Sequence, residues 1–125
     1  MLLSQAILLG SMLSKQSFGT SGEGRCALEA AVDVTAYKGL KTENGLFMAV
    51  DRVWPWTIRT RVVAPSNALG CNLTESVVTV IWMLNDIAKW TRPRIAAWVA
   101  SIEPPEPLQL EYKPTNQQEV ETCTA

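Results

Sequence analysis

The stretch Leu84-Asn85-Asp86-Ile87-Ala88-Lys89-Trp90-Thr91-Arg92-Pro93-Arg94-Ile95-Ala96-Ala97-Trp98-Val99 decides how this chain is read. It is the end of one apolar helix, a tight polar turn and the start of a second amphipathic helix. Thr91 is placed to cap the second helix, and Pro93 falls in its first turn, where a missing N–H costs little. Ile95, Trp98, Val99 and Ile102 recur at helical spacing as its buried face, and Glu103-Pro104-Pro105 ends it.

Upstream, Val77, Ile81, Leu84 and Ala88 repeat at steps of three and four, and Val80 and Ile87 widen the stripe. Asn72 followed three residues later by Glu75 reads as the capping box of this central helix. Two earlier helices are expected over 3–14 and 25–37. In the first, Leu2, Ala6, Leu9 and Leu13 form the apolar stripe opposite Ser4, Gln5, Ser11 and Lys15; in the second, Leu28, Ala31, Val32 and Thr35 oppose Glu29 and Asp33. Gly39 is a plausible stop for the second helix. Residues 46–50 read as a buried strand or a helical turn, and Thr57–Val63 alternates apolar residues and threonine against Arg59 and Arg61, as a half-exposed strand does. With a bend at Trp54-Pro55-Trp56, a small β-hairpin is expected here. The expected fold is mainly α: four helices, a C-terminal helical hairpin, and a short β-hairpin between helices two and three.

Length and composition bound the rest. The 125 residues, 47% of them hydrophobic, suffice for one domain over 1–103. Residues 104–125 are polar and proline-punctuated and read as a disordered tail. From Glu103 onward there are five acidic residues and one basic one; the total of −1 therefore leaves residues 1–102 at +3. The apolar start has no basic residue before Lys15, so it reads as a core helix, not an export signal. The longest apolar run, Val77 to Leu84, has eight residues and includes Thr79, far short of a membrane span. Cys26, Cys71 and Cys123 form no close pair, and an odd count closes no disulfide set. A reducing, cytoplasmic compartment is expected, which removes weight from the Asn72-Leu73-Thr74 sequon.

The chain contains no histidine. That removes the usual general base near neutral pH, the usual triad member and the commonest zinc ligand. Gly19-Thr20-Ser21-Gly22-Glu23-Gly24 is glycine-rich but lacks the lysine of a phosphate-binding loop, and reads as a connector. Glu29 and Asp33 are helix neighbours on a polar face, where a solvated pair is the default, and Asp86 reads as an acceptor that orders the following turn. Cys26 is placed at a helix start, where a thiol becomes more acidic; with no base beside it, a small buried apolar role is the stronger reading. No enzyme activity, cofactor or metal is expected.

Two constellations point to binding. Lys89, Arg92 and Arg94 surround the start of the last helix, where the macrodipole disfavours cations, so an anion is a natural companion. Arg59 and Arg61, placed on one strand face, and Arg52 extend this set, which resembles a nucleic-acid-binding element. Against it, Ala96, Ala97 and Ala100 offer little to read bases. Of the five tryptophans, Trp82, Trp90 and Trp98 read as core anchors. Trp54 and Trp56 flank a proline in a loop, where an exposed ring would serve as a protein-contact hot spot.

Arg25-Cys26-Ala27-Leu28-Glu29-Ala30-Ala31 and the Leu84–Val99 stretch resemble a group of small uncharacterised proteins of bacteria and their phages. Those carry an "LSxAIxLG" start, matched here by Leu3–Gly10, a "CALGAA" helix, a Cys-Pro-x-Cys knuckle and an "hLNDxHxWTRExIADWV" hairpin. Where the knuckle would fall this chain has Ala64-Pro65-Ser66-Asn67, and where the hairpin histidine would fall it has Ala88. The resemblance implies a metal site lost as a unit, with Cys26 as a surviving ligand. The reading reached is a non-enzymatic, phage-related interaction protein with a protein partner bound through the hairpin and the Trp54–Trp56 loop. The alternative is a small nucleic-acid-binding or regulatory protein; no membrane partner is expected.

Overall fold

The computed structural model describes residues 1–18, 24–37 and 43–105. In chain order the elements are α1 (Leu3–Leu13), α2 (Ala27–Asp33), α3 (Glu43–Val53), α4 (Trp56–Arg59), β1 (Arg61–Val63), α5 (Ser66–Leu69), β2 (Thr74–Ser76), α6 (Val77–Asp86) and α7 (Arg92–Ile102). The fold is mainly helical, with one small antiparallel pair of strands set between helices. The Gly19–Gly24 connector up to Glu23, the Gly39 stop and the tail from 106 onward lie outside the described residues.

The quoted stretch folds as a hairpin of α6 and α7. Thr91 Oγ1 accepts the Arg94 N–H (3.3 Å), and Ile95 and Val99 are fully buried. Lys89 turns the chain with a positive φ of 55°. Across it, the Trp90 N–H donates to the Leu84 carbonyl at 2.9 Å, which closes the end of α6.

Helix α6 starts later than the Asn72–Glu75 pattern predicts. Thr74–Ser76 is committed to β2, paired with β1 in the register Arg61–Ser76, Val62–Glu75 and Val63–Thr74. Ser76 is therefore the cap, its Oγ accepting the Thr79 N–H at 3.4 Å, and the Val77 N–H is tied to the Thr60 carbonyl (3.0 Å).

The expected β-hairpin thus has a different composition. Residues 46–50 lie inside α3, where Ala49 and Val50 are buried and Leu46 and Val53 pack on the core at helical spacing. Five residues were too short a window to show that period. Thr57-Ile58-Arg59 is helical because Pro55 sets the first turn and the buried Thr57 hydroxyl donates back to the Trp54 carbonyl at 2.8 Å. Arg59 and Arg61 consequently do not share a strand face.

The core joins Leu3 and Ile7 of α1, Leu28 of α2, Val50 of α3, Val77, Ile81 and Leu84 of α6, and Ile95 and Val99 of α7. Helix α1 buries Leu3, Ser4, Ala6, Ile7 and Gly10, not the Leu9 and Leu13 stripe. Gly10 explains this choice: a Cβ there would lie 2.4 Å from the Ala30 carbonyl oxygen, so α2 closes directly on the α1 backbone. Ser4 is accepted inside because Glu103 takes both its N–H (3.1 Å) and its hydroxyl.

Candidate interaction site

The sequence-derived sites separate on folding. Arg92 is buried, 4% exposed, and faces no ligand space. Its Nη1 donates to Ser14 Oγ (2.9 Å) and the Arg25 carbonyl (3.2 Å), and its Nη2 donates to the carbonyls of Ser14 and, at 3.5 Å, Ser11. The guanidinium caps the C-terminal end of α1, where a cation complements the dipole. Burial lowers its pKa from the usual value, although a guanidinium remains charged. Arg92 is thus a structural clamp and leaves the anion-binding set.

Lys89 and Arg94 remain exposed. The Arg94 guanidinium stacks 3.8 Å from the Trp90 ring centroid, and Lys89 Nζ lies 4.8 Å from that of Phe18 while donating to the Asp86 carbonyl (2.9 Å). Arg59 and Arg61 are exposed too, but they flank the start of α6 whereas Lys89 and Arg94 flank its end. Ten residues of helix separate the ends by roughly 15 Å.

Trp54 is buried, 4% exposed, and its Nε1–H donates to the Met1 carbonyl at 3.0 Å. The chain entering Pro55 turns this ring into the core, so Trp54 is not a surface contact residue. Trp56 is half-buried against the same core.

Behind the turn, Asn85 was not anticipated from the sequence. It is fully buried, and its amide is saturated: Oδ1 accepts from Gln16 Nε2 (2.9 Å) and the Ala27 N–H (3.1 Å), and Nδ2 donates to the Ser17 carbonyl (2.9 Å) and Asp86 Oδ1 (2.7 Å). An asparagine on the inner face of an apolar helix was the available signal.

Cys26 caps α2. Its Sγ accepts the Glu29 N–H (3.4 Å) and its N–H donates to Glu29 Oε1 (3.0 Å). Burial, reinforced by the Glu29 and Asp86 carboxylates, pushes the thiol up to about 11 against backbone hydrogen bonds that pull it down. The helix start therefore does not activate this cysteine. Glu29 and Asp33 both pair with Arg25, at 3.9 and 2.8 Å. Among the described residues no three His, Cys, Asp or Glu side chains are grouped to hold a metal, and no helix is long and apolar enough to cross a membrane.

One helix also leaves apolar side chains exposed. On α1, Leu8 (45%), Leu9 (37%), Met12 (68%) and Leu13 (70%) lie at the surface. Residues 1–14 contain no charged side chain. The signal was available: α1 is apolar on nearly every side, and a helix of that kind is expected to be covered all round.

No family model matches the chain, and neither a curated protein nor a solved structure matches it.

Proposed function

We propose that this chain is a non-enzymatic interaction protein that docks a protein partner on the outer face of α1. The observation that carries this reading is the run of exposed Leu8, Leu9, Met12 and Leu13 on a helix without a charged side chain. Contiguous apolar surface of this kind marks protein contacts. The chemistry of the described groups points the same way: the chain has no histidine, the Cys26 thiol is held protonated, and Glu29 and Asp33 are engaged by Arg25. A reducing, cytoplasmic setting fits the free thiols of Cys26 and Cys71. The test is a photo-crosslinking amino acid at Met12 in the expressing cell. A protein adduct there that Leu9→Glu removes supports the reading; a Met12 probe that captures no protein chain overturns it.

A second reading, nucleic-acid binding at the α6–α7 turn, is favoured by one observation. Two exposed cations each stack on an aromatic ring, Arg94 on Trp90 and Lys89 on Phe18, the pairing used by single-strand binders.

A further inference from the structure

Resting on the reading of α1 as a docking face, we infer that its occupant is a second copy of this chain, α1 packed antiparallel against α1 across a two-fold axis.

Charge is the first argument. A hetero-partner selected for complementarity ordinarily finds charged groups to pair with, and α1 offers no charged side chain. Over residues 2–14, two identical faces place no like-charged side chains opposite each other.

Area is the second. At the exposures found, the four side chains present roughly 400 Å² per copy, near the upper range of patches on monomers. Paired across the axis, two such faces bury about 800 Å², an area typical of weak, transient association and not of a permanent dimer. Interfaces of this size are of micromolar or weaker affinity.

Geometry is the third. Gln5, Leu8, Leu9 and Met12 follow each other at steps of three, one and three on the outer side of α1, while Leu3, Ala6, Ile7 and Gly10 face the core. A dyad near Leu9 sets Met12 and Leu13 of each copy against Gln5 and Leu8 of the other, the reciprocal contact an isologous interface requires. Helix α7 is held along α1 at both ends, by Arg92 at Ser14 and by Glu103 at Ser4. Doubling this antiparallel pair builds a four-helix arrangement. These clamps also hold the face in shape before association, which spares an ordering cost.

The experiment is sedimentation equilibrium of the full chain from about 1 to 500 µM, a range chosen to bracket that affinity. The expected result is a mass rising from 13.8 kDa towards twice that value. The Met12→Glu/Leu13→Glu variant stays at the monomer mass with an unchanged far-UV circular dichroism spectrum. Val63→Glu, at an exposed apolar site on β1, still dimerises. Should the double variant lose its helical spectrum, the milder Leu13→Gln substitutes for it, with at least a fivefold weaker association expected. A wild-type chain that stays monomeric throughout overturns the second copy as occupant. If the Met12 photo-crosslinker then captures a different protein, the docking face itself stands. A dimer that survives the α1 variants overturns α1 as the interface, whatever Val63→Glu does.

Discussion

Arg92 at the first turn of α7 binds Ser14 at the last turn of α1, and eleven residues later Glu103 binds Ser4 at the first turn of α1. Each charge meets the dipole end that it complements: a cation on the C-terminal carbonyls, a carboxylate on the N-terminal N–H groups. Helix α7 is in this sense a ruler cut to the length of α1. The matched spacing also explains how two charged side chains are accommodated against an apolar core.

Replacing Arg92 with alanine leaves the Ser11, Ser14 and Arg25 carbonyls without this donor inside the fold. A loss of about 3 kcal/mol is expected. In a domain of this size that lowers the melting temperature by more than 10 °C, since each kcal/mol is worth roughly 4–8 °C. Arg92→Lys recovers only part of it, because an ammonium does not reproduce the fork that serves two helices. Denaturant titration followed by tryptophan fluorescence measures both; an unchanged midpoint in Arg92→Ala would rule the clamp out.

Asn85→Asp tests the buried amide. The substitution keeps the two acceptor contacts but turns the donor toward the Ser17 carbonyl and Asp86 into a second acceptor. Repulsion and a buried charge then act together, and a loss of about 3 kcal/mol or more is expected. Wild-type stability in this variant would show that water replaces the lost donor.

At Gly10 two effects oppose each other. Alanine is the better helix former by about 1 kcal/mol, but its Cβ meets the Ala30 carbonyl oxygen at 2.4 Å. Backbone on both sides has nowhere to yield, so overpacking of about 1–3 kcal/mol wins. Gly10→Ala should lower the unfolding midpoint, and a raised midpoint would refute the close approach.

Cys26 predicts the alkaline limb of stability. Its thiol titrates near 11 in the folded chain and at 9.0 when free of the fold. The folded state therefore holds the proton more tightly, its contribution is complete below pH 9, and it is lost as pH rises from 9 to 11. The change is on the order of 3 kcal/mol, and it should be absent in Cys26→Ser. In a Cys123→Ser background, Ellman's reagent at pH 8 should modify the exposed Cys71 quickly and Cys26 only on unfolding.

The nucleic-acid reading is tested by fluorescence anisotropy of labelled single-stranded DNA and RNA at low and moderate salt. The variant to compare is Lys89→Ala/Arg94→Ala. Salt-sensitive binding weakened at least tenfold in the variant supports the turn as the site; no binding at low salt removes it. Arg92 variants do not address this question, because they alter the fold.

How much of this was legible before folding depends on how local the cause was. The α6–α7 hairpin was, because Thr91, Pro93 and the Ile95–Val99 spacing act within one turn of themselves. The helical core of α1 was legible, yet its buried face was not: Gly10 and Ser4 lie inside because of Ala30 and Glu103, which are 20 and 99 residues away in sequence. The same applies to the basic set. Lys89, Arg92 and Arg94 look alike as a cluster, and only the position of Ser14 shows that the middle one is internal. The β pair is hidden for a related reason, since the strand partner of Arg61–Val63 lies downstream at Thr74–Ser76. Trp54 reads as a surface residue because its neighbours are a proline and another tryptophan; the Met1 carbonyl that receives its indole N–H lies 53 residues upstream.

The double clamp sets an order of events for a chain made from its N-terminus. Helix α1 is synthesised well before the two groups that fix its ends, Arg92 and Glu103. Helix α2 is available early to cover one flank, but the C-terminal carbonyls of α1 wait nearly eighty residues for Arg92. Nascent chains stalled before residue 92 should therefore hold α1 as a sticky, half-seated element, and the completed body should lock it in a single late step.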